Sequence, residues 1–444
     1  MGLLPCPLPC HNSHNSSDSH HSDHHLRHFE SLSSSSSLSS QSSLPSVPSL
    51  NPQAPLSSPP RQPSPAAHHL CLATLKGHSS YVSFLALAGK SLLSASSDGE
   101  IRFWNRHPAD DSDIGGNNNN NNNNNNLAVV TGSAVKSVVV LGDRLITAHQ
   151  DHKIRVWKAD DGRDPSAHQV YRFVTALPTL TDRLTRIFSA KNYVEVRRHK
   201  KCTWVHHVDA VSALALSSDH SLLYSVSWDR TLKVWRTSDF KCLESINKAH
   251  EDAINAVVVS SGPDGLLCTG SADTKIKVWA RRRDGEKAHM VHSLVATLEK
   301  HKSAVNALAL SGDGRILYSG ACDRSILVWE REGDDTGTEG EPRVNMVVVG
   351  ALRGHAKSIL CLTVVSDLVI SGSADKTIRV WRREAGTSYS CLVALAGHTR
   401  PVKCIAAAAA TSGDDEGSSG SCYEVYSGGL DCSVKVWQVW VPRI

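Results

Sequence analysis

Short apolar runs along the chain alternate with polar turn residues in a recurring unit. In Ser371–Trp381 (SGSADKTIRVW) a β-prone run ends in Ser/Gly and a tight Asp-Lys turn follows, after which Ile378, Arg379, Val380 and Trp381 alternate. Alternation beside a short turn predicts a β-hairpin. The unit occurs seven times, with Trp six residues after Asp in each: Asp98/Trp104, Asp151/Trp157, Asp229/Trp235, Asp273/Trp279, Asp323/Trp329, Asp375/Trp381 and Asp431/Trp437. Four residues before each Asp stands a hydroxyl: Ser94, Thr147, Ser225, Thr269, Ser319, Ser371 and Ser427. An even offset keeps side chains on one face of a strand. About twenty or more residues upstream, six copies add a histidine (His78, His207, His250, His301, His355, His398), followed four residues later by Val or Ile. Fixed spacing over most of a chain marks a repeat architecture.

On these Gly-His, Ser-x-x-x-Asp and Trp positions, roughly residues 68–444 resemble the WD-repeat family of β-propellers. The resemblance implies an all-β fold: a seven-bladed β-propeller of four-stranded antiparallel blades. It also implies a buried hydrogen-bonded tetrad of His, Ser/Thr, Asp and Trp in each blade. The group chemistry agrees, because indole only donates, a hydroxyl gives and takes, and imidazole bridges hydroxyl to carboxylate. The second copy departs from the pattern. Alignment on Val135 puts Thr131 at the histidine position, which leaves Asp151 without imidazole. Either Thr131 partly substitutes or water enters. An unpaired buried polar group costs about 1–3 kcal/mol, so this blade is expected to be the weakest.

Residues 1–67, rich in Ser, His and Pro, are expected to be disordered and to add nothing to the core. Their Cys and His residues show no repeated zinc-ligand spacing. Residues 69–76 are expected to supply the last blade's fourth strand, because the chain ends seven residues past Trp437. Such an exchange closes the ring and removes two exposed edges. The 105–127 loop with its ten asparagines (Asn117–Asn126), the Ala406–Ala410 run and the loop 413–420 read as tolerated low complexity.

The segment 158–206 reads as an insert between the second and third blades. Within it Leu180, Leu184, Ile187 and Phe188 have helical spacing, and the expectation is that they dock on the ring. Tyr193–His207 then alternates like a strand. The NYVEVRRHK core resembles the insert of the plant JINGUBANG-type WD-repeat proteins, which the Ser-rich leader and seven blades also fit. That resemblance implies a regulatory, non-enzymatic protein of plant development, with pollen as the tissue.

A net charge of +4 over 444 residues names neither a nucleic acid nor a membrane partner, and no run of eighteen apolar residues exists. The N-terminus lacks a charged start followed by an apolar core, so the expected location is cytoplasmic, nuclear or both. Twelve cysteines form no CxxC pair. Cys361 and Cys404 stand where other copies have alanine, and Cys71, Cys242 and Cys391 fall in apolar runs, so these read as small buried thiols.

The repeated hydroxyl, His and Asp positions, complete in six copies, superficially suggest a nucleophile. A catalytic site breaks a repeat, however, and here these residues are the repeat, so they read as structural. Neither GxSxG, a phosphate loop nor a metal cluster is present, and no cofactor is expected. The reading is a monomeric scaffold for other proteins, transcriptional or signalling regulators among them. Candidate contacts lie outside the repeated core: Trp228 before Asp229, Tyr81, Lys302, Lys357 and Arg400 after repeat histidines, and the insert's Arg197, Arg198, Lys200 and Lys201, with Trp228 as their neighbouring anchor. A cullin-type substrate receptor is the alternative, but no copy carries Trp-Asp-x-Arg. Nucleic-acid binding through the basic insert is a further one.

Overall fold

The computed structural model describes residues 47–51, 67–106, 126–160, 170–187, 193–197, 200–262, 265–283, 290–332, 344–384, 386–410 and 420–442. Among these residues no helix is long and apolar enough to cross a membrane.

The hairpin units fold into seven four-stranded antiparallel sheets. Blade one runs from Val82–Ala88 to Leu127–Val130, blade two from Val135–Leu141 to Tyr171–Leu177 and blade three from Val211–Leu216 to Cys242–Ile246. Blade four runs from Ile254–Val259 to Met290–Leu298, blade five from Val305–Leu310 to Met346–Leu352 and blade six from Ile359–Val365 to Tyr389–Ala396. Blade seven takes Val402–Ala409, Gly420–Gly429 and Ser433–Pro442 from the C-terminal end and His68–Lys76 from the N-terminal side. The pairing of His68–Lys76 with Ser433–Pro442 joins both ends of the ring. Ala406–Ala409 of the alanine run belong to blade seven's inner strand, where Ala406 is buried and Ala409 is exposed. Most of the asparagine tract and residues 411–419 lie outside the described residues.

Apolar clusters fill the spaces between neighbouring blades. Every inner strand also carries a β-bulge just after its opening Val or Ile, as at Val82/Phe84 and Val135/Ser137. A bulge re-aims one side chain. In four blades that side chain reaches the carbonyl opening the next inner strand: Ser83 Oγ donates to Val135 O at 2.6 Å, Ser212 to Ile254, Asn255 Nδ2 to Val305 O at 3.0 Å and Asn306 Nδ2 to Ile359 O at 2.8 Å. In blades six and seven Cys361 and Cys404 make longer thiol contacts to Val402 and Val82 instead. The bulge residue of blade two is Lys136, which is thereby left available for the face of the ring.

Three expectations need correction. Tyr171–Leu177 is blade two's outer strand, so the insert proper begins at residue 178. In its helix, Leu180–Ile187, the described apolar side chains do not dock: Leu180 and Leu184 are 72% and 57% exposed, while Phe188 lies outside the described residues. The buried contact is Asp182, whose Oδ2 accepts the Cys242 N–H at 2.7 Å. A hydrogen bond to an ionised carboxylate is roughly twice as strong as a neutral one, so this contact ties the helix to blade three. The third correction is in the N-terminal segment, where Val47–Asn51 is ordered against blades five and six and buries Leu50.

Candidate functional site

The repeated polar residues lie between strands and loop in a set order. In blade six Trp381 Nε1 donates to Ser371 Oγ at 2.9 Å, that hydroxyl bonds His355 Nε2 at 2.8 Å, and His355 Nδ1 bonds Asp375 Oδ2 at 2.9 Å. The carboxylate needs an N–H, so Nδ1 carries the proton and the hydroxyl donates to Nε2. The same chain forms in blade one (Trp104, Ser94, His78, Asp98), blade three (Trp235, Ser225, His207, Asp229), blade four (Trp279, Thr269, His250, Asp273), blade five (Trp329, Ser319, His301, Asp323) and blade seven (Trp437, Ser427, His398, Asp431). Each Asp also accepts the N–H two residues on, as Thr377 N to Asp375 Oδ1 at 3.0 Å. The turn residue between them is left-handed, from φ 61° at Cys432 to 82° at Gly99.

Burial works against the charge of Asp98 and Asp273. The bonds and charges of their histidines and the backbone N–H donors outweigh it and hold both at about 2. Asp229, Asp323, Asp375 and Asp431 are held lower still for the same reasons.

Blade two solves its missing histidine from within its own strand. His149, two residues after Thr147, bonds Thr147 Oγ1 through Nε2 at 2.7 Å, and Trp157 Nε1 donates to the same hydroxyl at 2.9 Å. His149 Nδ1 donates to Ser133 O at 3.2 Å. Thr131 takes no part, because its hydroxyl faces the carbonyls of Gly99 and Ser133. Asp151 turns to Arg155, 2.6 Å away, in place of imidazole. Burial, then the Arg155 charge, presses the His149 pKa down to about 4. Even offsets put residues on one face, and the column Ser96, Ser227, Ser271, Ser373 against His149 was the signal in the sequence.

A second set of polar contacts links neighbouring blades. The residue before the repeat hydroxyl is tyrosine in three blades, and each tyrosine reaches the next blade. Tyr224 OH meets His292 Nε2 at 3.1 Å, with His292 Nδ1 on Glu244 at 2.7 Å. Tyr318 OH bonds Tyr389 OH at 2.9 Å. Tyr426 OH donates to Glu424 at 2.7 Å beside Arg106 of blade one, which itself reaches Glu424 at 2.8 Å.

Among the candidate contacts, Tyr81 and Trp228 are brought together by a residue the sequence did not single out. The Lys136 ammonium lies 5.2 Å from the Trp228 ring centroid and 5.9 Å from that of Tyr81, and donates to Tyr81 OH at 3.3 Å. Cation–π contacts of this kind fix side chains that the repeat itself does not require. Burial raises the Tyr81 pKa, but Lys136, a bond with Ser97 and the more distant Lys403 outweigh it and lower the pKa overall. Lys302, Lys357 and Arg400 are exposed on the equivalent loops of blades five, six and seven. Trp228 is thus engaged with Lys136 of blade two. Of the insert, Tyr193–Arg197 and Lys200–Thr203 pair as a two-stranded hairpin with Arg197 opposite Lys200 and Glu195 opposite Lys201, while Arg198 lies outside the described residues.

One trio, His78, Asp98 and Glu100, brings three potential metal-ligand atoms within 4.8 Å of one another. Both nitrogens of His78 are engaged in the tetrad, and Glu100 pairs with Arg102 at 2.7 Å. The set is therefore accounted for as structure. The described cysteines are free thiols. Cys404 and Cys242 are buried and Cys361 is half-buried, but Cys71 is exposed, against expectation.

The family described as WD domain, G-beta repeat matches residues 69–105, 199–236, 240–280, 292–330, 346–382 and 389–438. Blade two, with its His149 substitution, is outside those spans. Small ribosomal subunit protein RACK1 of Drosophila melanogaster is 34% identical over 179 residues, covering 40% of this chain and 52% of that protein. Zinc finger CCCH domain-containing protein 62 of Arabidopsis thaliana is 30% identical over 175 residues, covering 39% and 37%. The chain thus spans about half or less of the length of these curated relatives. Among solved structures, the WD40 beta propeller domain of Doa1 superposes with a TM-score of 0.54 at 18% identity, over 84% of this chain and 97% of that one.

Proposed function

Because the chain belongs to the WD-domain, G-beta repeat family, we propose that it is a non-catalytic protein-interaction scaffold whose partner meets the face carrying Tyr81, Lys136 and Trp228. The observation that carries this reading is the Lys136 ammonium held between two aromatic rings from two other blades. None of the three residues belongs to a tetrad, and half-buried aromatics beside a fixed cation have the composition of interface hot spots. Lys302, Lys357 and Arg400 make the equivalent loops of blades five to seven basic, while Asp209, Glu251 and Asp252 make those of blades three and four acidic, so the face suits a partner with both charges. The tetrads do not support catalysis. Their Ser and Thr oxygens belong to side chains at 0% exposure, each already accepting a Trp N–H and bonded to imidazole. A nucleophile needs a free path to substrate.

The basic hairpin carrying Arg197, Lys200 and Lys201 is a second contact surface in this proposal. The finer setting, regulation of plant development including pollen, rests on the likeness of the insert to the JINGUBANG-type group, and a cytoplasmic or nuclear location is proposed with it. An Arabidopsis thaliana relative is in keeping with a plant setting. The test is affinity capture from the native tissue with wild-type protein, Trp228→Ala and Lys136→Glu. The proposal expects native melting for both variants and loss of at least one partner. An unchanged partner set overturns it.

A further inference from the structure

The cleft between the outer strands of blades five and six is already occupied. Val47–Asn51, Val-Pro-Ser-Leu-Asn, lies extended across it. Leu50 N donates to Ala351 O at 2.9 Å, Ala351 N donates to Pro48 O at 2.9 Å, and Tyr389 of blade six donates its N–H to Leu50 O at 3.0 Å. The Asn51 amide grips one backbone position from both sides. Its Nδ2 donates to Arg353 O at 2.6 Å and its Oδ1 accepts Arg353 N at 2.8 Å. Arg353 Nη2 closes the other end on Val47 O at 3.0 Å. Leu50, 8% exposed, enters a cluster with Ile316, Tyr318, Leu352, Trp381 and Tyr389.

The wall of the cleft is shaped for this occupant. Gly350 interrupts the otherwise apolar strand Met346–Leu352, and a Cβ there would collide with Leu50 and come within 3.0 Å of Pro48 O. A glycine inside a strand marks close approach of another backbone. Exposed outer strands invite pairing with an added chain, in which main-chain bonds give affinity and side-chain pockets give specificity.

We propose that this cleft is a binding site for an extended peptide with an apolar leucine followed by asparagine, and that residues 47–51 are its reversible occupant in cis. One buried anchor, Leu50, a half-buried Val47 and a five-residue footprint, on a segment otherwise poor in large apolar residues, make a latch that opens without unfolding the ring. A protein presenting the same Leu-Asn pattern competes for the cleft and frees the N-terminal segment. This site is independent of the Tyr81–Lys136–Trp228 face.

The test uses the full-length protein and a capped, dye-labelled Val-Pro-Ser-Leu-Asn peptide read by fluorescence polarisation. Leu50→Asp empties the cleft and leaves its walls intact. Saturable binding to that variant is expected, with binding about tenfold or more weaker in the wild type, whose own segment competes at millimolar effective concentration. Adding Gly350→Val to the emptied variant abolishes binding. Absence of saturable binding to folded Leu50→Asp, or equal binding by all three proteins, overturns the proposal. If Leu50→Asp does not fold, Asn51→Ala decides: amide exchange at Leu50 and Ala351 should quicken about tenfold or more while the inner strands stay protected. Unchanged exchange, or exchange spreading through blades five and six, identifies a fixed strand and defeats the idea.

Discussion

His149→Ala isolates the device that keeps blade two satisfied. The substitution removes the partner of Thr147 Oγ1 and the donor to Ser133 O, and opens a void where an imidazole at 0% exposure had been. Thr147 can turn its proton to Arg155 O, 3.3 Å away, which recovers part of the loss. Two net hydrogen bonds at about 1 kcal/mol each, plus a small cavity, give a cost of about 2–4 kcal/mol near neutral pH. Thr131→Ala removes one hydroxyl bond and costs about 1 kcal/mol. The pH dependence is the sharper mark. His149 titrates near 4 in the fold because of burial and Arg155, against 6.5 ordinarily. On acidification the unfolded chain therefore takes up a proton first, and the contribution of His149 falls as pH drops from 6.5 towards 4. Between pH 7.5 and 5 the penalty for His149→Ala should shrink by about 2 kcal/mol. Urea midpoints of wild type, His149→Ala and Thr131→Ala at both pH values measure this. A pH-independent penalty, or a Thr131→Ala cost equal to that of His149→Ala, refutes the reasoning.

In a regular blade, Asp375→Ala strands His355 Nδ1 and the Ala356 and Thr377 N–H groups, and should lower stability by about 2–4 kcal/mol by urea titration. The wild-type carboxylates of these tetrads titrate below their ordinary range. Their stabilisation is therefore complete above about pH 4 and is lost as pH falls through the lowered values, which acid-unfolding curves of wild type against Asp375→Ala would register. Deleting residues 1–67 should leave a closed ring that has lost only the Val47–Asn51 contact, whereas deleting 1–77 strips the edge of Ser433–Pro442 and should produce aggregation in light scattering. Thiol-specific labelling of native protein, followed by peptide mass analysis, should modify Cys71 readily and spare Cys268, Cys361 and Cys404, whose thiol pKa values burial raises.

The Asp–Trp and hydroxyl–Asp spacings made the blades legible in the sequence, because strand geometry turns fixed offsets into shared faces. What escaped was substitution by a residue outside its usual column. His149 does the work of a loop histidine from a strand position, so alignment on Val135 pointed to Thr131 instead. Helical spacing pointed to the helix at Leu180–Ile187, but not to the buried contact that Asp182 makes with the Cys242 N–H. The Val47–Asn51 strand was hidden in a compositionally simple segment, and its only outward mark was Gly350 in the interior of a distant strand. Lys136 went unremarked because its role arises from a bulge, which no periodicity predicts.

Strand exchange in blade seven also sets the order in which the protein can be completed. Thr74 meets Lys435 across 361 positions of sequence, so His68–Lys76 leaves the ribosome long before its partner exists. At about 5–20 residues per second, that strand waits roughly 20–70 s with Leu70 and Leu72 unpaired. When blade six is complete, the chain still has neither a closed circumference nor a finished seventh sheet. The nascent chain is thus an open arc with an adhesive strand on its N-terminal side, and the arrival of Ser433–Pro442 converts it into a ring. Truncation near the C-terminus would therefore do more than shorten one strand: it would leave the product permanently at that open stage, in the state that chaperones and proteases recognise.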